Sequence, residues 1–335
     1  KFMRDLKNKL ISNKNTKNIK SRKGKSFGYQ VLGFGSGPIG PGAEFIEATG
    51  GSIATSGNFK IHTFTSPGTF EVTTLGNAEG SNTVSYVVVA GGGGGGASQG
   101  AGAGGAGGYR EGHIADSYSA SPLSGSALPV SATTFPITVG GGGAGSVNLT
   151  CSNAGNGFVG SNSVFSSITS AGGGGGGSGG GPPASDPGDA GGSGGGGGGR
   201  SGKSGGNGNS PPVSPPQGQN GGASKPSPSP AKDQGGGGGG AGAVGANGSP
   251  SAGGAGGSGV TSSITASPVT RSGGGGGGSE DNNGGAGGSG GGGAGGSTGS
   301  TNTGGGGGGA TGPNPAEDGY NGGSGIVIIR YKFQE

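Results

Sequence analysis

The stretch Ala90-Gly91-Gly92-Gly93-Gly94-Gly95-Gly96 opens a run of six glycines, and the chain repeats this run length five more times. Equal run lengths indicate a structural module of fixed reach. Glycine disfavours the α-helix and has no side chain to bury, but in the polyproline II geometry six residues form a rod of about 19 Å. The other runs are Gly172–Gly177, Gly194–Gly199, Gly235–Gly240, Gly273–Gly278 and Gly304–Gly309.

Such a rod has no internal hydrogen bonds, so its peptide groups must find partners on neighbouring rods. We therefore predict a polyglycine II helix bundle. Its fold class is irregular to mainly β, with a small β-sheet as cap and little or no α-helix outside the N-terminal arm. The alternative is disorder, because 102 glycines and 20 prolines make up about 36% of the chain without a strict period. The absence of a Gly-X-Y register excludes collagen.

Small residues often interrupt the glycines at every third position, which is one face of a threefold rod. This spacing predicts pure glycine rods inside the bundle and alanine- or serine-bearing rods outside, facing solvent. The triplets are Ala103, Ala106 and Tyr109; Ala252, Ala255 and Ser258; and Ala294, Ser297 and Ser300.

Residues 1–26 are predicted to be a basic N-terminal arm. Ten of the 19 lysines and arginines lie in residues 1–25 against one acid, Asp5, so this segment carries +9 and the remainder −5. Apolar residues at Phe2, Met3, Leu6 and Leu10 are spaced as in a short amphipathic helix. We predict that the arm anchors the chain on an acidic surface of another protein. The proposed anchoring residues are Arg4, Lys7, Lys9, Lys14, Lys17, Arg22 and Lys23.

Residues 27–90 are predicted to be a β-rich domain, and residues 91–335 a glycine-rich bundle closed by a C-terminal strand. Phe59–Phe64 alternates in the manner of a half-buried strand, and a turn at Ser66-Pro67-Gly68 leads to the next strand. The sheet is expected to supply the apolar core. The predicted strands cover residues 59–64, 69–73, 83–90, 135–139, 164–169, 264–269 and 326–333, after a lead-in at 27–34.

Several of these stretches resemble the glycine-rich domain of virion proteins from marine bacteriophages, over residues 27–335. The resemblance rests on Tyr86–Ala90 running into Gly91, on Gly107-Gly-Tyr-Arg-Glu-Gly112, on Phe135–Val139 running into Gly140, on Gly322–Tyr331 and on Phe27–Gly37. More distantly, the glycine runs are similar to the distal tail-fibre adhesins of T-even-like phages. This resemblance implies a non-enzymatic virion protein, assembled in the host cytoplasm, whose bundle displays loops for a host receptor of protein or glycan.

If the rods form a scaffold, the connections between them are expected to contain the residues that bind a receptor. The candidate connections are residues 182–189, 200–234, 247–251, 280–283 and 313–318. The longest, Arg200–Gln234, is stiffened by seven prolines and is expected to form a loop at the rod tips. Its candidate receptor-binding residues are Arg200, Lys203, Gln217, Gln219, Asn220, Lys225 and Lys232. No aromatic residue occurs between Phe165 and Tyr320, so a purely structural virion role stays open.

No catalytic, cofactor or metal site is predicted. Gly197–Ser204 fits a P-loop pattern, but glycine precedes it and no helix signal follows. The two histidines, His62 and His113, and the single cysteine, Cys151, suggest no ligand set. No apolar stretch is long enough to insert in a membrane. The first residue is Lys1, so we expect a processed or truncated chain.

Two other functional classes are disfavoured by the residue pattern. Ice binding needs a regular Thr and Ala face, whereas the threonines lie mostly in or beside the predicted strands. RNA binding by a glycine-rich tail needs repeated Arg-Gly-Gly steps, which Arg110, Arg200 and Arg271 do not provide. Association into a homo-oligomer is compatible with the sequence.

Overall fold

The computed structural model describes residues 42–115, 117–147, 155–179, 186–199, 202–225, 232–313 and 317–335. Ala43–Glu335 form one compact unit, and Lys1–Gly42 form another, of which only Gly42 is described. The predicted arm, its amphipathic helix and the lead-in at 27–34 lie outside the described residues. Within them the protein is all-β, with no helix, and hence none long and apolar enough to cross a membrane.

In the described part of the chain, fourteen strands form three sheets. In chain order they are β1 Glu47–Thr49, β2 Ser52–Ser56, β3 Phe59–Phe64, β4 Gly68–Thr74, β5 Thr83–Val89, β6 Tyr109–His113, β7 Ser124–Ser126, β8 Leu128–Pro129, β9 Thr134–Thr138, β10 Ser163–Phe165, β11 Ile168–Ser170, β12 Val260–Ser262, β13 Val269–Arg271 and β14 Ile326–Lys332. One sheet has the order β1-β4-β9-β10-β11, the second has β2-β3-β14-β5-β6-β7 with β8 paired to β5, and β12–β13 form a hairpin. All pairs are antiparallel except β6–β7.

The two larger sheets pack face to face, and their strands alternate between two cores. Val327, Ile329 and Tyr331 of β14 join Phe70 of β4 and Phe165 of β10 in the core between the sheets. Ile326 and Ile328 point to the opposite face, where the β12–β13 hairpin and Tyr109 cover them. Both faces of the central strands are thus buried, which is why β5 and β14 contain consecutive Val and Ile residues. The prediction that the sheet supplies the apolar core is confirmed.

Most predicted strands are confirmed, and two are wrong in form. Residues 164–169 fold as the hairpin β10–β11 with Ser166 at φ 53°, rather than as one strand. Residues 264–269 lie mainly in the turn between β12 and β13 instead of forming a strand. The half-buried pattern of Phe59–Phe64 is also wrong, because Ile61, His62 and Phe64 are all buried.

The six glycine runs are completely buried and form a closed ring in chain order. Each run is hydrogen-bonded to the next, and Gly304–Gly309 returns to the first run. The bonds that close the ring include Gly173 N to Gly91 O (2.9 Å), Gly177 N to Gly196 O (2.9 Å), Gly236 N to Gly197 O (2.8 Å), Gly238 N to Gly275 O (2.9 Å), Gly306 N to Gly273 O (3.0 Å) and Gly307 N to Gly93 O (2.9 Å). We call these six runs the ring.

The segment Ala101–Gly108 occupies the centre of the ring and is called the axial segment. Gly102, Ala103 and Gly104 donate to Gly177, Gly236 and Gly307 in three alternate runs, at 2.8–3.2 Å. The same three residues accept from the other three runs, through Gly96, Gly196 and Gly275. Three consecutive residues therefore bond to all six runs.

The expectation that alanine-bearing segments lie outside is wrong for the axial segment and right for the others. Ala101, Ala103 and Ala106 are completely buried at the centre, while Ala255, Ser258, Ala294 and Ser297 are exposed on outer segments. Each methyl group of the axial segment is thus enclosed by the ring. The spacing of three marks a common face but does not tell whether that face meets solvent.

At residue 90, where a boundary is expected, the amino-acid composition changes within a single compact unit. β5 leads directly into Gly91, and β14, from the far end of the chain, lies between β3 and β5. The sheets and the ring are therefore parts of one compact unit.

Candidate functional site

Three glycine runs begin after the end of a strand with one intervening residue: Gly91 after β5, Gly172 after β11 and Gly273 after β13. The opposite ends of these runs, at Gly96, Gly177 and Gly278, mark the end of the ring away from the sheets, which we call the distal end. Turns at this end connect the ring to the segments outside it. They carry exposed polar side chains.

The turn Ser279–Asn283 is the most polar described part of the distal end. Asp281, Asn282 and Asn283 are consecutive and exposed. Asn282 has φ 61°, in the left-handed region that Asn tolerates better than most residues. The amide of Asp281 donates to the Ser279 hydroxyl at 3.2 Å, so the turn is closed locally.

A second segment, Lys232–Gln234, holds this turn in place. The Glu280 amide donates to Asp233 O at 3.0 Å, and the Asp233 amide donates to Glu280 Oε2 at 3.0 Å. The exposed Lys232 ammonium pairs with Asp281, and this hydrogen-bonded pairing raises the pKa of Lys232. We call the two segments together the distal turn pair. One backbone–backbone bond and one bond from a backbone amide to a side-chain carboxylate order it before any partner arrives.

The predicted receptor-binding residues do not form one loop. Lys203, Lys225 and Lys232 lie at the distal end, where the Lys225 amide bonds to Gln234 O at 3.0 Å. Described acids outnumber these lysines there, so the lysines form no isolated cationic patch. The acids are Asp186, Asp233, Glu280, Asp281 and Glu317.

Gln217 is a structural residue, and its assignment to receptor binding is wrong. Its side chain is 1% exposed. Its Oε1 accepts from the Ala171 amide at 2.8 Å, and its Nε2 donates to Pro211 O at 2.9 Å. Because Ala171 follows β11, Gln217 fastens this turn to the end of the bundle that carries the sheets.

Gln219 and Asn220 belong to an outer segment of the bundle. The Gln219 amide donates to Gly240 O at 3.0 Å, and Asn220 Oδ1 accepts from the Gly208 amide at 2.8 Å. Residues 202–225 therefore run from the distal end to the sheet end and back. The expectation that Arg200–Gln234 forms a loop at the rod tips is therefore wrong for residues 202–225, which are part of the bundle scaffold.

Several predicted site residues fall outside the described residues. They are Arg200 and the anchoring residues Arg4, Lys7, Lys9, Lys14, Lys17, Arg22 and Lys23. Sequence reasoning named the connection at 280–283 but missed Asp281, Asn282 and Asn283 as individual candidates. The available signal was a run of four polar residues, Glu280–Asn283, between a serine and two glycines.

The buried carboxylate of Glu111 is the centre of the largest polar cluster under the β12–β13 hairpin. It accepts from the hydroxyls of Ser262 (2.6 Å), Tyr109 (2.8 Å) and Tyr118 (3.0 Å) and from the Ser121 amide (2.9 Å). Burial, followed by the nearby Glu111 charge, raises the pKa of both tyrosines. Glu111 is 3% exposed, so this cluster joins the hairpin to β6 and offers no access to a ligand.

Among the described residues, no group of three or more His, Cys, Asp or Glu side chains could hold a metal ion. The P-loop-like Gly197–Ser204 is followed by an outer bundle segment rather than a helix.

The chain was also compared with known proteins. Residues 64–332 match a family model described as a glycine-rich domain. No curated protein matches the chain. The matched range covers most of the chain and includes the ring, the axial segment and β14.

Proposed function

The chain belongs to the glycine-rich domain family, and we propose that it is a non-enzymatic bacteriophage virion protein, a fibre or spike that displays host-recognition turns on a polyglycine II scaffold. The proposal draws on the difference between the two ends of the bundle. The sheets gather one end of the bundle, and the exposed polar turns lie at the other.

The polyglycine II geometry is supported by the period of the hydrogen bonds. Gly91 and Gly94 donate to Ser161 and Phe158, in one neighbouring segment. Gly92 and Gly95 donate to a second neighbour, and Gly93 and Gly96 donate to the axial segment. Bonds that return to the same neighbour every third residue are those of a helix with three residues per turn. We expect NMR of the isotope-labelled protein to give φ near −75° and ψ near +145° in the six runs, apart from Gly199 and Gly304, whose φ is positive.

The observation that carries the recognition role is the distal turn pair. Its backbone is fixed by bonds between Asp233 and Glu280, while Asp281 and Asn282 are exposed. A surface ordered in advance loses less conformational entropy on binding. Carboxylate and amide groups are suited to hydrogen bonding with a glycan or a polar protein surface.

The basic arm completes the proposal. With a charge of +9 in residues 1–25, it is suited to an acidic surface on another virion protein. The bundle then projects outward from the particle. Because the described distal end contains no aromatic anchor, a purely structural fibre or decoration is the second candidate.

The test is adsorption of particles carrying the double substitution Asp281→Ala and Asn282→Gly. Glycine accepts the positive φ at position 282, so the turn keeps its backbone while its exposed side chains are removed. We expect adsorption to cells that the unmodified particle infects to fall at least tenfold, with unchanged particle assembly. The control is the double substitution Ala266→Gly and Pro268→Gly, at positions exposed at the sheet end. Normal adsorption of the double variant would favour the purely structural role.

A further inference from the structure

Two adjoining outer segments, Gly140–Val147 and Gly155–Asn162, form a flank of the bundle. They are bonded to each other from the Phe158 amide to Ala144 O and from the Ser161 amide to Gly141 O, both at 2.9 Å. Gly143 and Gly94 also link them to the ring, since the Gly143 amide donates to Gly92 O and Phe158 O accepts from Gly94. We call this surface the uncharged flank.

The uncharged flank is unusually apolar for a solvent-facing surface. Phe158 is 63% exposed, Val147 60% and Val159 54%. Among the described residues only three other large apolar side chains are exposed, and they are scattered at Ile53, Leu75 and Val244. Clustered exposed apolar side chains mark interaction surfaces, whereas single ones are ordinary.

The flank also lacks charge. No Lys, Arg, Asp, Glu or His occurs between Ser117 and Ser185, although residues 26–335 as a whole carry a net −5. Two copies of the protein could therefore approach through this flank without bringing like charges together.

The outer backbone of the flank has free hydrogen-bonding groups three residues apart, which is also the spacing of the bonds within the bundle. The amides of Gly141 and Ala144, three residues apart, make no bond to any described residue, and neither does the carbonyl of Gly142. All three residues are exposed. A Cβ added to Gly141 would meet nothing within 4 Å, so the space beside it is open.

The protein itself shows what fits such a segment. Gly319, Gly322 and Gly325 donate to Ser146, Gly143 and Gly140, again at every third residue and at 2.8–2.9 Å. A glycine segment of the same kind thus already covers one side of Gly140–Ser146. The outer side presents equivalent groups with no segment of the described chain on them, much as a sheet edge offers unpaired groups to another strand.

We propose that the uncharged flank binds the same flank of a second copy of this protein, extending the glycine lattice across a homo-oligomer interface. A free amide of one copy meets the free Gly142 carbonyl of the other, and Phe158 and Val159 are buried between the two copies. This inference stands apart from the host-recognition role, which concerns the distal end.

The test is sedimentation equilibrium of the full chain over a range of concentrations, with Phe158→Lys as the main variant. We expect the unmodified chain to self-associate and the variant to raise the dissociation constant at least tenfold, because a lysine on each copy would be desolvated against its counterpart. The matched control is Val244→Lys, a similarly exposed apolar position on another side of the bundle. Its dissociation constant is expected to stay within twofold.

A second pair of variants tests the backbone contribution. Ala144→Pro removes one free amide of the flank, and Ala255→Pro removes an exposed, unbonded amide elsewhere. We expect only Ala144→Pro to weaken association, with both variants melting near the temperature of the unmodified chain. A chain that stays monomeric at every concentration, or Phe158→Lys and Val244→Lys variants that associate alike, would overturn the proposal.

Discussion

A Cβ added to Gly237 would lie 2.0 Å from the carbonyl oxygen of Ala255, well inside any real contact distance. The same holds along the ring: at Gly93 the nearest atom is Gly174 O at 2.1 Å, and at Gly275 it is Gly307 O at 2.2 Å. At these positions glycine is required by the approach of a neighbouring backbone rather than by an unusual φ. These ring glycines are thus packing residues.

We expect Gly237→Ala to lower the free energy of unfolding by about 3 kcal/mol or more, and Gly237→Val to lower it further. The added carbon must push two segments apart, which leaves buried peptide groups unpaired at about 1–3 kcal/mol each. Chemical denaturation measures the change. Gly141→Ala is the matched control, since its Cβ would meet open space; an equal loss in both variants would contradict close packing.

His62 makes stability depend on pH. Its Nδ1 lies 2.7 Å from Gly50 O and its Nε2 lies 3.1 Å from the Tyr331 hydroxyl. A carbonyl only accepts, so Nδ1 carries the proton and Nε2 accepts from Tyr331 in the neutral ring. Burial lowers the pKa of His62 below its ordinary value of 6.5.

Because the folded protein binds this proton less readily than the unfolded chain, stability is full above about pH 6.5 and falls as the pH drops below it. We expect the melting temperature to decline between pH 6.5 and 5. His62→Gln should melt lower at pH 7.5 but change less over that interval. A decline as steep in His62→Gln as in the unmodified chain would show that other groups cause it.

At the scale of elements, the sequence predicts a strand well where its whole length is apolar. β5 and β14 were predictable within a residue or two because both of their faces are buried, and Val and Ile then fill consecutive positions. Residues 264–269 contain apolar residues for another reason. Ile264 is completely buried in the turn of the hairpin, packed on the second core, and such a tertiary contact has no local signature.

The hairpin β12–β13 depends on Glu111. We expect Glu111→Ala to leave the Tyr109, Tyr118 and Ser262 hydroxyls without their acceptor and to destabilise the protein by about 3 kcal/mol or more. Amide hydrogen exchange in Val260–Arg271 should increase most. Glu71→Ala, at an exposed position of β4, should change neither quantity appreciably. Unchanged exchange in the hairpin would show that Val260 and Ile264 hold it without the carboxylate.

At the scale of the whole molecule, the glycine runs predict a bundle but do not predict which run lies beside which. The six runs are chemically identical, so no residue specifies which run lies beside which; the lengths and turns of the connections must decide. The same limit applies to the candidate site. Lys203 and Gln217 lie within one proline-rich stretch, yet Gly205, Gly206, Gly221 and Gly222 insert into the lattice between or beyond them, and the stretch is divided between the two ends.

The chain order of the ring also sets an order in time. The first run and the axial segment are adjacent in sequence, so both are synthesised before the remaining runs leave the ribosome. Each later run then packs against the axial segment beside the run that precedes it. No chain end has to be threaded through a closed loop. β14, which pairs with both β3 and β5, joins its sheet only after the six runs have been synthesised.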